Sequence, residues 1–235
     1  MLPGIDDGAH SVDIALQMAR QALDNGVTHV VCTPHIHSGY YDNSLTTIQT
    51  ATNELAEYFQ LQQCPLKIAC AAEVRICPEI MRWQASGDLP YLGQWQGKDV
   101  LLLELPHSHV PAGTDKLIKW LLSNNVQPLI AHPERNRDIL QDYRKFTQLK
   151  NLGCLFQLTA GALLGRFSAA IEALAWRMLD EHGISIIASD SHNLERRPNE
   201  MGKCRARLTE YFDPVYVSNL FEQTPMIITQ HLLWR

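Results

Sequence analysis

What most constrains this chain is a set of short segments that are apolar on both faces. DVLLLEL, VQPLIAH, CLFQLT and ISIIASD begin at Asp99, Val126, Cys154 and Ile184 and hold apolar runs without strict alternation. Strands of that kind must be covered on both sides, which is the condition of a parallel sheet between helices. VTHVVCT and LKIACAAE upstream read the same way, giving six buried strands. Helical patterns separate them, among them TDKLIKWLLSN, NRDILQDYRKFTQLKN and FSAAIEALAWRMLDEHG. Ser11 is placed to cap a first helix whose apolar positions are Val12, Ala15, Leu16, Ala19, Ala22 and Leu23, with Asn25-Gly26 ending it. A second amphipathic stretch runs from Ser44 to Gln63, and the apolar residues between Asp213 and Arg235 suit a last helix packed over the sheet.

Five of the six strands end in a group able to ligate a metal: His35, Glu73, Glu104, His132, and Asp190 with His192. In parallel β/α folds the C-terminal edge carries the active site, and a barrel gathers all strand ends at one mouth where an open sheet would spread them. The expected architecture is therefore an α/β chain folded as one β/α barrel domain over residues 1–235. With 46% hydrophobic residues in 235, the chain can bury a core of that size.

A net charge of −5 and a pI near 6.0 provide no basic stripe for a phosphate backbone, so nucleic acid is excluded as a partner. Six cysteines stand without a C-x-x-C pair and no basic-then-apolar leader opens the chain, which suits reduced thiols in the cytoplasm. No apolar run approaches the ~20 residues needed to span a bilayer, so no membrane insertion is expected.

Imidazoles and carboxylates without thiolates suit Mn²⁺, Fe²⁺ or Zn²⁺. Asp190 and His192 lie one residue apart, so on an extended backbone their side chains share a face. A cluster of two or three ions would lower the pKa of a bound water and hold a phosphoryl group. Arg135 in AHPERNR and Arg197 in HNLERRP follow two of these ligands closely, and guanidinium groups match phosphate oxygens bidentately. Arg137 and Arg196 read instead as surface arginines paired with Glu134 or Glu195. His10, His182 and His231 fall in caps or polar turns, and His29 and Asp99 read as exposed or paired groups. In LPGIDDGA, Asp7 either favours the N-terminus of the first helix or ligates a metal. No cysteine is followed at its sixth position by arginine, so the chain lacks the phosphate loop of a cysteine-based phosphatase.

Taken together, LPGIDDGA, VVCTPH, AAEVR, LLLELP, IAHPERN, LTAGALLG and ASDSHNLERRP stand in the order and spacing of the bacterial PHP-type protein-tyrosine phosphatases of capsule and exopolysaccharide operons. The chain resembles that family from Leu2 to about Arg197. The resemblance implies a distorted, TIM-like seven-stranded β/α barrel with a trinuclear manganese centre, Fe²⁺, Zn²⁺ or Mg²⁺ being alternatives. It implies action on a tyrosine-phosphorylated kinase that controls polysaccharide synthesis, and leaves an oligomer open. By the same resemblance Asp7, His35 and His192 would hold one metal, Glu73 would bridge, Glu104 and His132 would serve a second and Asp190 a third, while Arg135 and Arg197 align with the phosphate-binding arginines.

One departure accompanies the match. The family begins with a strand ending in His-x-His just before the LPG, whereas here Met1 directly precedes Leu2. The expectation is a shortened form, with one metal weakened and unpaired strand edges along the gap. The alternatives are a shortened form that retains weak activity or only binds, and replacement of the lost ligands by His37 or His107. Two rival functions go with these readings: a phosphoesterase for a small molecule such as histidinol phosphate, and a non-catalytic phosphotyrosine-binding barrel.

Overall fold

The structure, a computed structural model, describes residues 1–235 and contains nine strands. They are β1 (His29–Cys32), β2 (His35–Ile36), β3 (Lys67–Cys70), β4 (Glu73–Arg75), β5 (Gln94–Trp95), β6 (Lys98–Glu104), β7 (Val126–Ala131), β8 (Leu155–Thr159) and β9 (Ile186–Ala188). The sheet order β2-β4-β6-β7-β8-β9 follows the chain, every neighbour in it is parallel, and β5 adds antiparallel to β6. β1 and β3 form a separate parallel pair.

That pair is the first part of the same two strands. Thr33-Pro34 interrupts VTHVVCTPHI, since proline has no N–H to give the ladder. The carbonyl of Cys32 accepts from Ala71, that of Pro34 accepts from Glu73, and His35 then pairs in register with Glu73. The six strands read from the sequence are thus present, two of them broken in the middle.

The barrel is not closed by strand pairing, because β1 pairs only with β3 and β9 only with β8. A cavity of about 610 Å³ opens between these edges, lined among others by Val31, Ile186, Phe221 and Ile228. Thr28 and Cys32 already offer their carbonyls to Lys67 and Ala71. Alternation in a parallel ladder therefore turns the backbone groups of His29 and Val31 toward the cavity. The outer edges of β1 and β9 are thus without a strand partner.

Helix α1 (Val12–Asp24) starts where Ser11 accepts from the N–H of Ile14, and α2 (Leu45–Leu61) starts in a capping box between Ser44 and Thr47. The stretch expected as one helix after Asn136 is two, Arg137–Gln141 and Arg144–Asn151, broken at Asp142-Tyr143. The C-terminal tail also departs from a single helix. Pro214–Ser218, a π-helical turn at Asn219–Gln223 and Thr224–Thr229 follow one another, and Arg235 then exchanges two backbone hydrogen bonds with Ile68 of β3. Gly93 lets this tail approach: a Cβ there would lie 2.0 Å from the carbonyl oxygen of Ile228, and its φ is +121°. No helix is long and apolar enough to cross a membrane.

Candidate metal centre

The strand register brings the predicted ligands together. His35 and Glu73 are paired residues on β2 and β4, and Arg75, two residues beyond Glu73, pairs with Glu104 at the end of β6. His132 follows β7, and Asp190 and His192 follow β9. His132 and Asp190 both hold left-handed backbone, φ +33° and +48°. Such conformations are rare for residues other than glycine and cluster at functional sites.

Contacts link these side chains into one network. His132 Nε2 lies 2.8 Å from Glu73 Oε1 and 3.9 Å from Glu104 Oε1, and His35 Nε2 is 4.0 Å from Glu73 Oε1. His35 Nδ1 stands 3.5 Å from both Asp6 Oδ2 and Asp7 Oδ1, and His192 Nε2 lies 3.4 Å from Asp7 Oδ1. Three overlapping groups have donor atoms close enough to share an ion: Asp7, His35 and His192; His35, Glu73 and Glu104; and Glu104, His107 and His132. Asp190 belongs to none of these groups, though its Oδ1 lies 3.6 Å from His192 Nδ1, and it accepts from Arg135 and, at 2.6 Å, from Arg197.

The electrostatics show why a cation suits the place. Glu73, Glu104 and His132 are 3%, 2% and 4% exposed. Burial, then repulsion from Asp190, raises the carboxyl of Glu73; burial and Glu73 do the same to Glu104. Burial and the neighbouring Arg135 push His132 down to about 3, so its imidazole is neutral. Burial opposes protonation of His35 too, but Asp6, Glu73 and Glu104 outweigh it and raise it to about 9. Burial would raise Asp190, yet Arg135, His132 and Arg197 hold it well below the usual carboxylate range. The buried Nδ1 of His35 and Oε2 of Glu104 have no hydrogen-bond partner within the chain. Carboxylate oxygens crowded among like charges, beside the neutral imidazole of His132 and a His35 that draws a proton into the cluster, fit divalent cations.

Orientation is fixed from behind. His192 Nδ1 lies 2.9 Å from the carbonyl of Asp190; donation there leaves the lone pair of Nε2 for the Asp7 side. Arg135, 8% exposed, also packs 5.4 Å from the ring centre of Phe167.

Two residues of this network are not evident in the sequence. Asp6 accepts from the backbone N–H of Gly8 and His35, tying the N-terminal loop to β2, and contacts with His35 bring it to about 2 against the opposing effect of burial. Arg75 Nε stands 3.1 Å from Glu104 Oε2. Its signal is the i, i+2 spacing from Glu73, which puts both on one face of β4. Of the two proposed replacements, His107 joins Glu104 and His132 and stacks on the latter at 5.5 Å, while His37 stacks on Tyr40 and stands outside the groups. Arg137 does not pair with Glu134, because Glu134 is fully buried and accepts from the N–H of Thr159. Arg196 forms no ion pair with Glu195; both backbone N–H groups donate to Asn193.

An ordered parallel sheet whose C-terminal mouth gathers four imidazoles, buried carboxylates and two inward arginines defines a β/α protein with a candidate centre for divalent cations. The chain belongs to the capsular polysaccharide synthesis family CpsB/CapC, whose profile matches residues 1–230. CapC of Staphylococcus aureus is 32% identical over 198 residues, 84% of this chain and 76% of its own length. Tyrosine-protein phosphatase YwqE of Bacillus subtilis is 29% identical over 235 residues, covering 100% of this chain and 91% of its own. A chain from the crystal structures of YwqE and of CpsB from Streptococcus pneumoniae, described as unique metal-dependent tyrosine phosphatases, superposes with a TM-score of 0.89 at 28% identity. That match covers 100% of this chain and 94% of the other.

Proposed function

We propose that this protein hydrolyses phosphotyrosine on a protein, on one domain spanning residues 1–235. Asp7, His35, Glu73, Glu104, His132, Asp190 and His192 would hold two or three divalent ions, Mn²⁺ by preference. Such ions, when bound, supply Lewis-acid polarisation of the phosphate and an acidified water. The observation that carries the reading is the convergence of Arg135 and Arg197 on Asp190 beside the carboxylate–imidazole groups. Two guanidinium forks at one point offer donors for the non-bridging oxygens of a phosphate monoester. His192, fixed through its Nδ1, keeps Nε2 aimed into the site, and His132 stays neutral under burial and Arg135.

A thiolate nucleophile is poorly served, since burial first of all pushes the thiols of Cys32 and Cys77 up to about 11 and those of Cys154 and Cys204 to about 12. The CpsB/CapC membership and the tyrosine phosphatases among the relatives support a tyrosine kinase of capsular or exopolysaccharide synthesis as substrate. Six unpaired cysteines support a cytoplasmic location.

Phosphate release from a phosphotyrosyl peptide, with Mn²⁺ or with excess chelator, tests the reading. Release that needs the metal is expected. Equal release in chelator, or a strong kcat/KM preference for a small phosphate such as histidinol phosphate, would overturn it.

A further inference from the structure

Beside the metal centre lies a second cleft of about 480 Å³ whose walls include His37, Arg75, His107, Ser108 and Arg137. None of its lining residues is acidic, in a chain whose net charge is −5. An acid-free pocket with two arginines is therefore not a sample of the average surface.

Its cations are differently placed. Arg75 is held by charge, its Nε 3.1 Å from Oε2 of Glu104 without hydrogen-bond geometry. Arg137 is exposed, and the carboxylates beside it are taken: Asp138 pairs with Lys145 at 2.5 Å and Glu134 is buried against Thr159. Its guanidinium thus keeps its full donor set for something outside the chain.

The walls are also tied together. Arg137 N–H donates to the carbonyl of His107 at 2.8 Å, and the Asn136 side-chain amide donates to the carbonyls of Pro106 and His109 at 2.8 and 3.0 Å. Those bonds fix the 106–109 loop against the start of the Arg137 helix, so little order remains to be gained on binding. His107 links the cleft to the centre, since its donor atoms belong to the group with Glu104 and His132.

We infer that this cleft is an anion subsite that reads the residues flanking the phosphotyrosine. It takes a side-chain carboxylate or a second phosphate carried next but one to the scissile phosphotyrosine. An extended peptide advances ~7 Å over two residues with both side chains on one face, which suits two adjoining pockets. The inference rests on the proposed phosphotyrosine reading and adds a preference for acidic or multiply phosphorylated segments.

The test uses the full chain with Mn²⁺ and fluorescent peptides whose phosphotyrosine carries a non-hydrolysable difluoromethylphosphonate. One peptide has neutral flanks, one has glutamate next but one, and one has a second phosphonate-bearing tyrosine there. Both acidic peptides are expected to bind about 3- to 10-fold more tightly than the neutral one, with the gain shrinking in ~0.5 M salt. Whichever acidic peptide gains more names the source of the anion. Arg137→Glu is expected to erase or reverse the preference and Arg137→Lys to retain it. Equal affinity of the unaltered protein for all three peptides, or a preference that survives Arg137→Glu, would overturn the subsite. Phosphate release from the neutral phosphotyrosyl peptide is scored separately. Flank preference without release keeps the subsite and overturns the activity, and no binding of any peptide overturns both.

Discussion

The mouth of the sheet and the seam between β1 and β9 are both interruptions of a packed structure, joined by one cavity that also reaches His35, Glu73, Asp190 and His192, yet they handle polar groups differently. At the mouth, Glu73, Glu104 and His132 are almost fully buried, each within 4 Å of an oppositely charged or ligating neighbour. At the seam, Val31 and Ile186 line a cavity of about 610 Å³, and the backbone groups of His29 and Val31 have no strand partner. The contrast shows what each kind of polar group requires. Buried ionised side chains persist only in mutual company, because an isolated one costs far more than a fold can bear. Unpaired backbone can instead border a space wide enough for water.

The sharpest way to break the contrast is at the mouth. His132→Ala removes the imidazole bonded to Glu73 and should lower metal-dependent phosphate release by about 100-fold or more, with a lowered urea midpoint as well because Glu73 is left buried without that partner. A collapse of stability alone would mean that the network is structural rather than catalytic. Next in size, Gly93→Ala drives a methyl group into the Ile228 carbonyl and should cost ~3 kcal/mol by urea unfolding. A change within ~0.5 kcal/mol would show that the tail does not hold its place across the seam.

Within the mouth, Arg135→Ala should reduce kcat/KM on a phosphotyrosyl peptide by ~30-fold and Arg197→Ala by ~5-fold. Both bond Asp190, but their side chains are 8% and 27% exposed, and a charge-assisted bond weakens with access to water. The reverse order would move the main phosphate contact to Arg197. At the seam, the amides of Val31 and Ile186 should exchange with solvent at least ~10-fold faster than those of Leu102 and Leu129 in the middle of the sheet. Equal protection would mean that the edges are covered in solution.

The legible part of this molecule is the part that depends on strand order. Runs apolar on both faces specified the parallel sheet, and ligand types at their C-terminal ends specified the mouth, since a parallel order leaves those ends only one place to meet. What escaped depends on contacts distant in sequence. Asp6 and Asp7 look alike in the chain, yet the first faces inward to the backbone of His35 and the second is exposed toward His192. Arg137 looks like a surface partner for Glu134 until Glu134 is found buried against β8. The break at Asp142 and the π turn at Asn219–Gln223 come from how each segment leaves the sheet or crosses the seam, which local propensity does not encode.

The left-handed backbone at His132 and Asp190 bears on how such a protein evolves and can be engineered. Each residue holds a conformation that glycine would adopt at lower cost, by ~1 kcal/mol. Relieving that strain would, however, strip Glu73 of His132 and Arg135 and Arg197 of Asp190, so selection for thermal endurance has little to gain at either position. A library built to stabilise this scaffold should hold both positions fixed and seek its gains along the seam.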